Sequence, residues 1–141
     1  MEYVEPGEPG QRFDLSQHDL VSIDGLGPCT GVFIYEPTAR VAYGVHLSSP
    51  HMHQSNLLID TLEDAAQEFG SPIVSVKVFV SGSCDDGQPG TGDEPSAVRA
   101  FVEAEVRKIL PTASHQFDWA KTGVAVCNME LNLTTGEIRY D

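Results

Sequence analysis

The chain predicts an α/β sandwich of the α+β kind, with mixed β-sheets flanked by two helices. Three observations predict it. Two segments, Ser55–Phe69 and 95–110, carry apolar residues at helical spacing. Runs rich in β-branched and aromatic residues lie before, between and after them. Clusters of Gly, Pro, Asp and Ser separate these runs, giving the order β-β-β-α-β-α-β-β. At 141 residues the chain is long enough for one domain with a real core.

Residues 1–18 are acidic, bear Pro and Gly and are weakly patterned. They are expected to form a loosely structured arm with at most a short strand, ahead of a single domain over 19–141. Leu20-Val21-Ser22-Ile23 reads as a strand, broken by Asp24-Gly25-Leu26-Gly27-Pro28. Residues 30–35 and 40–47 read as a hairpin around Glu36-Pro37-Thr38-Ala39, with Pro where a type I turn favours it.

The first helix presents Leu58, Leu62, Ala65, Ala66 and Phe69 on one face, with Gly70 as its stop. Residues 73–80 alternate Val74, Val76, Val78 and Val80 as a strand does, and 81–94 read as a glycine-rich acidic loop. The second helix presents Val98, Phe101, Val102, Val106, Ile109 and Leu110 before Pro111 ends it. Residues 123–133 are strand-like, Thr134-Thr135-Gly136-Glu137 is a turn, and 138–140 closes a last hairpin.

Charge and cysteine usage bound the function. The sequence holds 8 Lys and Arg against 21 Asp and Glu, a net charge of −13. So few cations argue against nucleic acid and against an anionic membrane surface. No apolar run approaches the roughly 18 residues of a membrane span, and the acidic N-terminus lacks signal-peptide character. Cys29, Cys84 and Cys127 are odd in number with no CxxC, which fits neither a disulfide framework nor a zinc ribbon. A cytoplasmic protein with reduced thiols is expected. The acidity favours a basic target, or serves solubility alone.

The hairpin points to one thiol. A turn centred on Pro37-Thr38 sets Glu36 opposite Ala39 and Cys29 opposite His46, with Cβ atoms about 4.5–5.5 Å apart. An imidazole so placed promotes the thiolate and later supplies a proton. Gly25 and Gly27 let the chain turn sharply before Cys29 and approach a substrate. Main-chain N–H groups there could hold an oxyanion; Pro28 has none, so donors fall to Cys29, Thr30 or another loop. The same spacing fits a small buried Cys beside a hydrogen-bonded His.

Other polar groups suggest less. His46, His51 and His53 with Cys29 form an incomplete ligand set, and no metal and no cofactor is expected. Cys84, beside Asp85 and Asp86, is a poor thiolate candidate, and Cys127 suits a core strand. His18 and His115 read as surface or capping residues, and Phe117 and Trp119 as packing.

The strings Gly25-Leu26-Gly27-Pro28-Cys29, Tyr35-Glu36-Pro37-Thr38-Ala39-Arg40-Val41 and Gly44-Val45-His46-Leu47 resemble the CheD family, the chemoreceptor glutamine deamidases. That family reads approximately G-x-G-S-C, an acid-Pro-x-Ala-basic turn, and a His seventeen residues past the Cys, as here. The stretch 76–82 is similar to its K-x-F-G-G strand with one Gly lost, and 131–138 to its terminal hairpin. The resemblance implies two packed sheets flanked by helices, a CheD-like fold shared with Cys–His deamidase toxins. It implies Cys29 as nucleophile and His46 as base and acid, acting on a protein glutamine or a glutamyl methyl ester through a thioester. A protein substrate with an exposed glutamine follows, with a regulatory protein as a further partner.

Two departures matter. The family's third site residue, a Thr, is Ile23 here, so only its main-chain carbonyl is left to orient the imidazole. Pro28 stands where the family has Ser. A non-catalytic binding module that keeps the fold and engages a signalling partner is the alternative.

Overall fold

The structure, a computed structural model, describes residues 2–6, 8, 10–26, 29–47, 55–70, 75–82, 95–119 and 128–141. Its strands are β1 (Glu2–Tyr3), β2 (Gln11–Asp14), β3 (Leu20–Asp24), β4 (Thr30–Glu36), β5 (Val41–Leu47), β6 (Lys77–Gly82), β7 (Ser114–Trp119), β8 (Asn128–Asn132) and β9 (Ile138–Tyr140). The helices are α1 (Ser55–Phe69) and α2 (Pro95–Ile109). A five-stranded sheet runs β2-β5-β4-β6-β7 and a four-stranded sheet β1-β3-β8-β9. Both are mixed: β6–β7 and β1–β3 pair in parallel, the rest antiparallel. This is the expected α+β architecture of mixed sheets flanked by two helices.

The central strands β5, β4 and β6 of the five-stranded sheet are buried on both faces, and strand alternation sorts their residues. One face sends Val32, Ile34, Tyr43, Val45, Val78 and Val80 against Leu58, Leu62 and Ala65 of α1 and Val98, Val102 and Val106 of α2. The other sends Phe33, Tyr35, Ala42 and Phe79 against Val21, Ile23, Met129 and Leu131 of the smaller sheet. Each fully buried Leu or Val adds about 1.5–3 kcal/mol over leaving it in water. Leu62→Ala at the centre of the helix layer would cost about 2–5 kcal/mol through transfer and cavity terms.

Helix α1 stops where expected. The Gly70 N–H donates to the Ala66 carbonyl at 3.1 Å, and Gly70 takes a φ of +79°. A hydrogen bond of 2.7 Å joins a ring nitrogen of His115 (Nε2) to the carbonyl of Leu110 at the end of α2, a capping use. The last hairpin forms with Leu131 opposite Ile138, its turn held by Asn132 Oδ1 accepting from the Thr134 and Thr135 amides.

Three expectations need correction. Residues 1–18 are not a loose arm: they supply β1 and β2, and Val4 and Phe13 are buried in the inter-sheet core. Short strands held by long-range burial carry little local pattern. Second, β7 was not expected, because Ser114–Trp119 lacks β-branched residues; only its inward side chains, His115, Phe117 and Trp119, are half-buried.

The third correction is the hairpin register. Glu36 pairs with Val41, not Ala39, so the loop has four residues, 37–40. The Glu36 carboxylate accepts the Thr38 amide at 3.2 Å and the Ala39 amide at 2.5 Å. The Arg40 amide donates to the Glu36 carbonyl at 2.8 Å, and Arg40 adopts a φ of +56°. These bonds fold one more turn than a two-residue loop allows and shift every pair by two residues.

Candidate functional site

That shift decides how Cys29 and His46 meet. Gly31, not Cys29, stands directly opposite His46, and Cys29 lies just outside the ladder, before Thr30. Because side chains repeat every two residues, a two-residue shift keeps the face while changing the partner. Cys29 does pack against the inter-sheet core, the side to which Gly31, Gly44 and His46 belong. The two are therefore diagonal rather than direct neighbours, a relationship that typically separates Cβ atoms by roughly 7–8 Å.

His46 is 3% exposed, and among the described residues neither ring nitrogen has a hydrogen-bond partner. Buried polar atoms in native proteins nearly always have one, so two orphan nitrogens on one ring require an explanation. Burial pushes the His46 pKa below its ordinary value; the Asp24 carboxylate works weakly in the opposite direction. Burial thus favours the neutral form of the imidazole, the form that can accept a proton.

The neighbourhood is apolar on the side of the smaller sheet. Over Gly31 the opposite sheet presses close: a Cβ there would lie 2.7 Å from Met129 Sδ, 3.0 Å from Leu26 Cδ2 and 3.3 Å from Ile23 Cγ2. Gly31 lets these three side chains fill the space beside His46. Asp24 ends β3 exposed to solvent, and its carboxylate accepts the Ser22 hydroxyl. Cys29 is half-buried, and its N–H donates to the carbonyl of Leu26, closing the turn ahead of β4.

The remaining expected site residues fall as follows. Ile23 faces Met129 in the β3–β8 ladder, and its carbonyl makes no hydrogen bond to His46, since both ring nitrogens lack partners. The reason is geometric: Ile23 belongs to the opposing sheet and reaches the site through its side chain. Gly25 has a φ of +70°, and its N–H donates to Asn128 Oδ1 at 3.3 Å. Thr30 sits between Leu47 and Gly82 and is buried, its hydroxyl without a partner among the described residues. Alternation with Val32 and Ile34 turns that hydroxyl toward the helices, away from Cys29 and His46. The amides of Cys29 and Gly25 are thus already engaged as donors. Gly27, Pro28, His51, His53, Cys84 and Cys127 lie outside the described residues.

Two residues gain importance. Asp24 is the charge that acts on His46, and Gly82 lies against the Cys29 carbonyl. In the sequence Asp24 is only the first residue of a strand break, and Gly82 only one glycine of a strand end. Among the described residues no three His, Cys, Asp or Glu side chains converge as metal ligands, and no helix is long and apolar enough to cross a membrane.

No family model matches the chain, and no curated protein matches it. Among solved structures it is similar to the crystal structure of the Bacillus licheniformis hypothetical protein YfiH, with a TM-score of 0.49 and 12% identity. The match covers 81% of this chain and 51% of that one, so this chain spans about half of that protein's length. At that level the likeness assigns neither a fold family nor an activity.

Proposed function

We propose that the chain is a cysteine-dependent hydrolase that deamidates glutamine side chains of proteins, with Cys29 as nucleophile and His46 as base and acid. The carrying observation is His46 itself: buried, without a ring-nitrogen partner among the described residues, and on the same inter-sheet face as Cys29. In the first half-reaction His46 takes the Cys29 thiol proton as sulfur attacks the amide carbon. It then gives that proton to the departing nitrogen, releasing ammonia and leaving a thioester. In the second, water attacks the thioester, its proton passing through His46 to the Cys29 sulfur, and glutamate is released. A glutamyl methyl ester would follow the same course with methanol leaving. Reduced thiols of this kind suit a cytoplasmic setting.

The test is ammonia release from glutamine-bearing proteins, wild type against Cys29→Ser. Loss of release in the variant is expected, and equal rates overturn the assignment.

Two observations favour a second reading. His46 makes no hydrogen bond to Cys29, and Ile23 brings no hydroxyl to orient the ring. A CheD-like module that binds a signalling partner without catalysis would tolerate both. In that case Cys29→Ala leaves the cellular role intact.

A further inference from the structure

We propose that Gly82 is a positioning residue for Cys29, an inference that rests on Cys29 being the nucleophile. Gly82 ends β6 with a φ of +94°, a conformation that side-chain-bearing residues rarely adopt. A Cβ on Gly82 would overlap the carbonyl oxygen of Cys29. It would also lie 3.3 Å from the Cys29 carbonyl carbon and 3.4 Å from Leu26 Cβ. Leu26 and Cys29 are the two ends of the turn that the Cys29 N–H closes on the Leu26 carbonyl. The Cys29 main chain is therefore held on both sides, its N–H by Leu26 and its C=O against the bare α-carbon of Gly82.

Strand β6 is the firmer of the two bodies. It is paired with β4 on one side and β7 on the other, and Gly82 itself stands between Thr30 and Trp119. Val78 and Val80 are fully buried, and the Ser81 hydroxyl donates to the Asp118 carbonyl at 2.7 Å. When a side chain is added at position 82, the part that yields is the Cys29 main chain, the group its Cβ would overlap. Holding both peptide flanks leaves the thiol little freedom beyond rotation of its own side chain. That is the preorganisation a nucleophile needs, since a displacement of about 1 Å can cost about a hundredfold in rate.

Gly82→Ala is the test and Gly70→Ala its control. Gly70 also has a positive φ, +79°, but a Cβ there meets nothing within 4 Å. Both variants carry the backbone penalty, and only Gly82→Ala displaces the turn. The readout is the pH profile of Cys29 alkylation by iodoacetamide in the folded protein, followed on the Cys29 peptide by mass spectrometry. Gly82→Ala is expected to slow Cys29 alkylation by about tenfold or more and to move the profile. Gly70→Ala should leave both unchanged. A wild-type profile in folded Gly82→Ala overturns the proposal.

Should Gly82→Ala fail to fold, amide hydrogen exchange on the wild-type protein decides. The Cys29 amide should be as protected as those of β4, and exchange at the rate of an exposed loop overturns the proposal. Failure of the nucleophile assignment reads differently: wild-type Cys29 then alkylates no faster than Cys84 and Cys127, whatever happens at Gly82.

Discussion

His46 stands directly across the β4–β5 ladder from Gly31, two residues along the chain from Cys29 and on the same face of the sheet. The glycine matters as much as the pairing. With no side chain at 31, Met129, Leu26 and Ile23 reach the sheet and form an apolar wall beside the imidazole. That wall helps keep the ring dry and neutral.

Cys29 should react with iodoacetamide at least about tenfold faster than Cys84 or Cys127 below pH 7, because His46 on the same face of the sheet can act as its general base. His46→Ala should remove the difference. Peptide-resolved alkylation kinetics measure both rates, and equal reactivity of the three thiols contradicts the assignment.

A buried imidazole with no partner is a cost to stability. His46→Leu should leave stability at pH 7 within about 1 kcal/mol of wild type or raise it, since it removes two unpaired polar atoms. The pH dependence has a definite sign. The folded-state pKa lies below the ordinary 6.5. Between those values the unfolded chain binds a proton that the native state refuses. Wild-type stability should therefore fall as the pH drops below 6.5, more steeply than that of His46→Leu. Urea midpoints across that range measure it, and parallel curves refute it.

Gly31→Ala should destabilise the fold by about 1–3 kcal/mol, because the new methyl meets Met129, Leu26 and Ile23 in a packed layer. Met129→Ala opens the closest of these contacts. The double variant should therefore lose less than the two single losses added together. Additive losses in a denaturation cycle would show that the Met129 contact is not the obstacle.

Away from the site, Glu68 of α1 ties two strands together. It takes two hydrogen bonds from Arg12 of β2, at 2.7 and 2.9 Å, and one from the Tyr43 hydroxyl of β5 at 2.5 Å. Burial and the Glu68 contact push the Tyr43 phenol up to about 12. In Glu68→Ala its spectroscopic titration should fall part of the way toward 10.0, because the burial remains. The Arg12 side chain is 45% exposed, so the lost ion pair should cost only about 1 kcal/mol and less in high salt. An unmoved tyrosine titration rejects the coupling.

What the sequence determined by itself is what short periods can carry. Leu58, Leu62 and Ala65, and Val98, Val102 and Val106, mark the buried helix faces because helical spacing is local. Alternation likewise puts Cys29 and His46 on one side of the sheet, and no shift by an even number of residues can change that. Tertiary structure decided the rest. The partner of His46 depends on how Glu36 caps a four-residue loop, so the expected direct contact with Cys29 became a diagonal one. The strands at 2–3, 11–14 and 114–119 form because other strands and the core accept them, although their own patterns are weak. The electrostatic influence of Asp24 on His46 and the close approach of Gly82 to the Cys29 carbonyl join residues far apart in the chain. No local repeat encodes such contacts; they exist only once two sheets have closed on one another.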